Sequence, residues 1–170
     1  MQIIIATDGD LNPETTSDLA ARLFETGDTI TLTTVIEVPR TLLVELRAFY
    51  RTPPPQAVID EDHEYVGQPT GGTLSSQWPG DDAMIARYVD DQTTKRTDPV
   101  KHALESRGIT PDIVVRESDS PSSTILELIT ELSADLLVIG THGRGRFEGL
   151  LGSTGTKLAR LAPCSVILVR

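Results

Sequence analysis

Five short apolar runs alternate along this chain with segments whose apolar residues recur every three or four positions. That alternation constrains the fold more than any other feature. The runs are 2–7 (Gln-Ile-Ile-Ile-Ala-Thr), Thr29 to Ile36, Ile113 to Val115, Leu136 to Ile139 and Val166 to Val169. The first, a short continuous apolar run, predicts a strand buried on both faces; Thr29 to Ile36 is β-branched and strand-like, and the other three are read as strands as well. Between them, Asn12-Pro13 makes an N-cap and first-turn pair ahead of Leu19, Ala20, Leu23 and Phe24. Ser120-Pro121 does the same ahead of Ile125, Leu128, Ile129 and Leu132. Strands and helices in alternation require right-handed crossovers and a parallel sheet covered on both faces. The expected fold class is therefore α/β, with an open five-stranded parallel sheet.

Residues 37–80 break the rhythm. They hold six of the eleven prolines, including Pro53-Pro54-Pro55, together with Gly67, Gly71, Gly72 and Gly80. A connection of this length in a compact α/β domain is an insertion with a task or a mobile loop. Leu42, Leu46, Phe49 and Tyr50 have helical spacing and predict a short amphipathic helix. Its apolar face can pack on the parent domain, cover a ligand or meet a second subunit. Asp81 to Thr97 reads as a helix with Met84, Ile85, Tyr88 and Val89 in register. Asp98-Pro99 reads as a second cap, because an internal proline costs a helix about 3 kcal/mol, so a kink or break is expected near Asp98.

The chain has 170 residues, the length of one domain (1–170) with an insertion at 37–80, and enough to bury a substantial core. A formal charge of −10 excludes the basic surface on which nonspecific nucleic-acid and anionic-membrane binding depend. Such an acid surplus suits a high-salt interior. No apolar run approaches the roughly 20 residues that span a bilayer, and no basic leader precedes the first strand, so a cytoplasmic location is expected. Cys164, the single cysteine, sits among apolar neighbours and reads as a buried structural thiol.

The fourth strand runs directly into Gly140-Thr-His142-Gly143-Arg144-Gly145-Arg146-Phe-Glu-Gly149, and a helix opens at Gly152-Ser153-Thr154. Glycine backbone lets N–H groups approach an anion unobstructed, and a helix N-terminus adds the positive end of its dipole. This is the pattern of a phosphate cradle. In an open parallel sheet, ligands bind beyond the carboxyl ends of the strands, where strand order reverses. Ala6-Thr7-Asp8-Gly9, Val35-Ile36, and Ile139-Gly140 with its loop should meet there. Asp8 has two readings, a ligand for ribose, base or cation, or a turn aspartate bonding its own backbone. Gly140 and Gly143 serve an anion or only a tight turn. Ser153 and Thr154 serve as ligand donors or as the N-cap. His142, Arg144 and Arg146 are phosphate partners or solvated loop residues.

Competing signatures fail. Gly149 to Lys157 has five residues between its glycines and places Thr156 before the lysine, so it is not a P-loop. No Cys/His cluster indicates zinc, His63 and His102 lie in polar surroundings, and no Ser, Cys or Lys stands beside a base for covalent catalysis.

Taken together, Ala6-Thr7-Asp8-Gly9, Val35 within Thr-Thr-Val-Ile-Glu, Gly140-Thr-His-Gly143-Arg, Gly152-Ser153 and Ala162-Pro163-Cys164-x-Val166 resemble the universal stress protein family. The likeness covers essentially the whole chain outside 37–80. It implies an adenine nucleotide alpha hydrolase-like sheet of order 3-2-1-4-5 and a homodimer through the last strand, Ser165 to Val169. One branch of the family binds ATP with a divalent cation, magnesium or manganese, on the phosphates, and another does not. For this chain the resemblance implies Asp8 and Val35 around the adenosine, with Gly140, Gly143, Gly152, Ser153 and Thr154 on ribose and phosphates. Ala6, Thr7, Ile139, His142 and Arg144 are further candidates for the same nucleotide site. The ATP-binding branch carries Gly-x2-Gly-x9-Gly-Ser/Thr, whereas Gly143 and Gly152 here are separated by eight residues. Ser165 replaces a usual proline, which is expected to free a backbone N–H near the last strand. Pro99 interrupts a helix that is normally continuous. Two functions follow: a dimeric, ATP-dependent switch in stress response with slow or no hydrolysis, or a dimeric interaction protein of the same fold that recruits an unknown protein partner without nucleotide. Neither involves nucleic acid or membrane.

Overall fold

The computed structural model describes residues 1–39, 41–45, 80–141 and 152–170. The chain divides into two compact units, Met1–Val38 with Tyr88–Arg170, and Pro39–Arg87. The first holds the sheet: β1 (Gln2–Ala6), β2 (Thr29–Ile36), β3 (Asp112–Glu117), β4 (Leu136–Gly140) and β5 (Ser165–Val169). Their order is β3-β2-β1-β4-β5 and the pairings are parallel, with Ile3 opposite Ile30 on one side and Leu136 on the other. Helices α1 (Pro13–Leu23), α2 (Asp81–Glu105), α3 (Pro121–Glu131) and α4 (Ser153–Leu161) complete the described elements. The fold is the one expected, an open five-stranded parallel sheet of order 3-2-1-4-5 with helices on both faces.

Period-two alternation splits each central strand between two cores. Ile3, Ile5, Ile30, Leu32 and Val138 face Ala20 of α1 and Val100 and Leu104 of α2. Ile4, Ala6, Val35, Leu137 and Ile139 face Ile125, Leu128 and Ile129 of α3 and Leu158 of α4. Ile3, Ile4 and Ile5 are each at most 1% exposed, so β1 is covered on both sides and sits at the centre of the sheet. In the second unit, the described residues include a helical turn at 42–45, closed by the Glu45 N–H on the Thr41 carbonyl at 2.9 Å, and the opening turns of α2. The remainder of the helix expected around Leu46, Phe49 and Tyr50 lies outside the described residues.

A local signal sets the start of α1. Asn12 caps α1 through its side chain, which accepts the Thr15 N–H at 3.0 Å, and Pro13 occupies the first turn. Ser120 precedes α3, but its side chain does not cap; its hydroxyl bonds Ser123 Oγ at 3.0 Å.

Three expectations are corrected. Helix α2 runs through Asp98-Pro99 as one element, so the break expected there does not occur. Proline removes one N–H bond there, yet Thr97, Val100 and Leu104 on either side of it are at most 2% exposed, and that burial outweighs the loss. Cys164 is half-buried rather than buried; desolvation still pushes its thiol pKa up from the ordinary value. The Ser165 N–H is not free at the sheet's edge, for it points inward to the Asp135 carbonyl at 3.3 Å. Among the described residues, no helix is long and apolar enough to cross a membrane.

Candidate functional site

Beyond the carboxyl ends of β1, β2 and β4 lies a cavity of about 380 Å³, within the range of small-molecule sites. It belongs wholly to the sheet-bearing unit. Strand β1 and its following turn contribute Ala6, Thr7 and Asp8; β2 contributes Thr33 and Val35, followed by Glu37. Ile139, Gly140 and Thr141 come from the end of β4, and Gly152 to Gly155 from the start of α4. Pro121 and Ile125 of α3, Leu158 of α4 and Arg96 of α2 are the other lining residues among those described.

The turn after β1 is built by its own hydrogen bonds. Thr7 donates its N–H to the Thr33 carbonyl at 2.9 Å, and its hydroxyl accepts the Gly9 N–H at 3.0 Å. Asp8 Oδ1 accepts the Asp10 N–H at 3.2 Å, so the turn role read for this aspartate is real. The carboxylate is exposed and lines the cavity, which leaves further lone pairs open to a ligand. Gly9 has φ of +102°, and a Cβ built on it would lie 3.3 Å from Arg96 Cγ. The turn and α2 approach this closely because the residue is glycine.

At the opposite side, Gly152 and not a hydroxyl residue is the N-cap of α4, with φ −58° and ψ 162°. Ser153 and Thr154 therefore stand in the first turn, which corrects their reading as the cap. No side chain caps this helix and its first turn carries no acidic residue. The first intrahelical bond there is the Thr156 N–H on the Gly152 carbonyl at 2.8 Å, so the amides of Ser153, Thr154 and Gly155 have no helical carbonyl to bond. Unspent amides and the positive dipole end at a cavity wall favour an anion.

Nine of the residues singled out in the sequence line this one cavity: Ala6, Thr7, Asp8, Val35 and Ile139, then Gly140, Gly152, Ser153 and Thr154. His142, Gly143 and Arg144 lie outside the described residues. Sequence reasoning missed Arg96. It sits four residues before the buried Val100, and a cation flanking the buried stripe of a helix was the available signal. Its Nη1 donates to the Val35 carbonyl at 2.9 Å, and its own carbonyl accepts from Thr7 Oγ1 at 3.5 Å. Among the described residues, no group of three His, Cys, Asp or Glu side chains could hold a metal ion.

The universal stress protein family model matches residues 1–170. Universal stress protein A homolog 1 of Coxiella burnetii is 40% identical over 45 residues, 26% of this chain and 31% of that relative. The chain thus spans about a third of the length of that relative in the match. Among solved structures, universal stress protein UspA from Lactobacillus plantarum has a TM-score of 0.58 at 16% identity, covering 100% of this chain and 97% of that one. The universal stress protein from Archaeoglobus fulgidus in complex with dAMP has a TM-score of 0.50 at 16% identity, covering 100% and 98%. At such identities the structures establish likeness of fold alone, and the whole-length match to the family model shows the family. The chain belongs to the universal stress protein family.

Proposed function

We propose that this protein is a cytoplasmic regulator that binds ATP in the cavity at the strand ends and signals, as a homodimer joined through β5, by whether the site is occupied. The observation that carries the reading is the α4 N-terminus: glycine-capped, free of acidic residues in its first turn and lining the same cavity as Asp8, Val35 and Gly140. Its amides suit phosphate oxygens, the Asp8 carboxylate suits ribose hydroxyls, and Val35, Pro121 and Ile125 offer apolar walls to a flat ring. The dAMP complex of the Archaeoglobus fulgidus relative supports a purine nucleotide as the ligand class. The described residues do not fit a protein-held cation, so magnesium or manganese would travel on the phosphates. The described lining residues include no histidine, cysteine or lysine, and hydrolysis is expected to be slow or absent.

Calorimetric titration of ATP with magnesium into nucleotide-stripped protein, at low and high salt, tests this. Micromolar binding corresponds to about −8 kcal/mol and is the expected result. No heat at either salt from a folded dimer would overturn the ATP reading. The alternative is then an interaction protein that recruits a partner without nucleotide.

A further inference from the structure

Arg96 is the cation among the described residues that line the cavity. It is half-buried, and among the described residues no carboxylate pairs with it. Two contacts hold it in place. Its Nη1 is anchored on the Val35 carbonyl at 2.9 Å, and the β1–α1 turn presses on the root of its side chain, with Gly9 leaving only enough room for Cγ. A guanidinium carries five N–H donors in a rigid fork, and the Val35 bond uses one. The β2 end of the cavity therefore presents the remaining guanidinium donors of Arg96 together with the Glu37 carboxylate, while the Val35 carbonyl is already engaged.

The geometry separates this end from the phosphate end. Strands β2 and β4 flank β1, so they stand two inter-strand spacings apart, about 10 Å. Helix α4 follows β4, and Arg96 meets β2. A nucleotide with its phosphates on the α4 amides directs its base toward Val35, Ile125 and Arg96.

We propose that Arg96 reads the base, and that this cavity takes a 6-oxopurine nucleotide, GTP or ITP, at least as tightly as ATP. The inference rests on the nucleotide reading above and adds a ligand and a specificity-determining residue to it. Guanine and hypoxanthine offer O6 and N7 as two adjacent acceptors for the fork. Adenine offers N7 but sets its N6 amine, a donor, against the guanidinium. A bidentate arginine contact of this kind is worth roughly a five- to 150-fold discrimination.

The test is titration of ATP, GTP and ITP, each with magnesium, into the wild-type protein, Arg96→Ala and Arg96→Lys, with the melting temperature of each protein measured without ligand. Wild type is expected to bind GTP and ITP no more weakly than ATP, with ITP tracking GTP because both carry O6. Arg96→Ala should shift the ratio toward ATP at least five-fold. Arg96→Lys, which keeps the charge but not the fork, should shift it the same way, and it carries the test if the alanine variant does not fold. A ratio unchanged in the variants, or a wild type that binds ATP and rejects GTP and ITP, overturns the base assignment and leaves the ATP reading standing. A folded wild type that binds none of the three overturns the nucleotide reading itself, and the inference with it.

Discussion

Gly152→Val isolates the proposed phosphate cradle from the fold. The residue's φ of −58° and ψ of 162° lie in the extended region open to β-branched residues, and a Cβ there meets no described atom within 4 Å. Valine is a poorer N-cap than glycine, and caps are worth about 1 kcal/mol. In a chain of this size that is a fall of roughly 2–4 °C in Tm. The ligand feels far more. An isopropyl group at the cap occupies the space through which phosphate oxygens reach the amides of Ser153 and Thr154. Each charge-assisted hydrogen bond is worth about 1.5–3 kcal/mol, so losing two amounts to some two to four decades in Kd at 1.4 kcal/mol per decade.

Two readouts check this together. By calorimetry, ATP affinity should fall at least 100-fold. By thermal melting at 100 times the wild-type Kd, ATP should add about 2.7 kcal/mol to the wild type, or some 5–10 °C, and at most about 0.4 kcal/mol, or some 1–2 °C, to the variant. The unliganded melting temperatures should differ by only a few degrees. If Gly152→Val bound ATP within three-fold of wild type, the α4 N-terminus would not be the phosphate site and the proposed orientation of the ligand would be wrong.

Three further outcomes follow from the same coordinates. Pro99 is exposed inside α2; Pro99→Ala restores a helical N–H and should raise Tm by about 2–8 °C, given roughly 1–2 kcal/mol after the loss of proline's stiffening of the unfolded chain. A fall in Tm would mean that Pro99 itself is part of how α2 packs. Leu168 on β5 is 41% exposed, and Leu168→Lys should convert a β5-joined dimer to monomer in sedimentation without changing the far-ultraviolet spectrum; an unchanged sedimentation coefficient would move the interface elsewhere. Cys164, half-buried with its pKa raised chiefly by burial, holds less thiolate at pH 8 than a free cysteine. Iodoacetamide should modify it several-fold more slowly than in the urea-unfolded chain, and its rate should go on rising above the pH where free cysteine levels off. Equal rates in the folded and unfolded chain would refute the burial.

The parts of this molecule legible in the sequence are those where one local signal acts alone. Strand β2 was bounded at Thr29 and Ile36 because an apolar, β-branched run has no other stable home, and Asn12-Pro13 marked the start of α1 for the same reason. Strand β3 was read short, as Ile113 to Val115, because at the sheet's edge Asp112 and Glu117 can keep their side chains in water while their backbones still pair with β2. Where two signals compete, the sequence cannot rank them. Pro99 argued for a break on its own terms, and the buried stripe of Thr97, Val100 and Leu104 overruled it. That outcome also matters for the site. A helix broken at Asp98 would not run unbroken from the packed Val100 to Arg96, whereas a continuous α2 ties Arg96 to the buried Val100 and Leu104 one and two turns away. The guanidinium then reaches Val35 from a rigid base rather than from a loop. Tertiary burial thus overrides local propensity in the helix that carries Arg96, the cation among the described lining residues, opposite the proposed phosphate cradle, and the selectivity argued for Arg96 depends on that continuity.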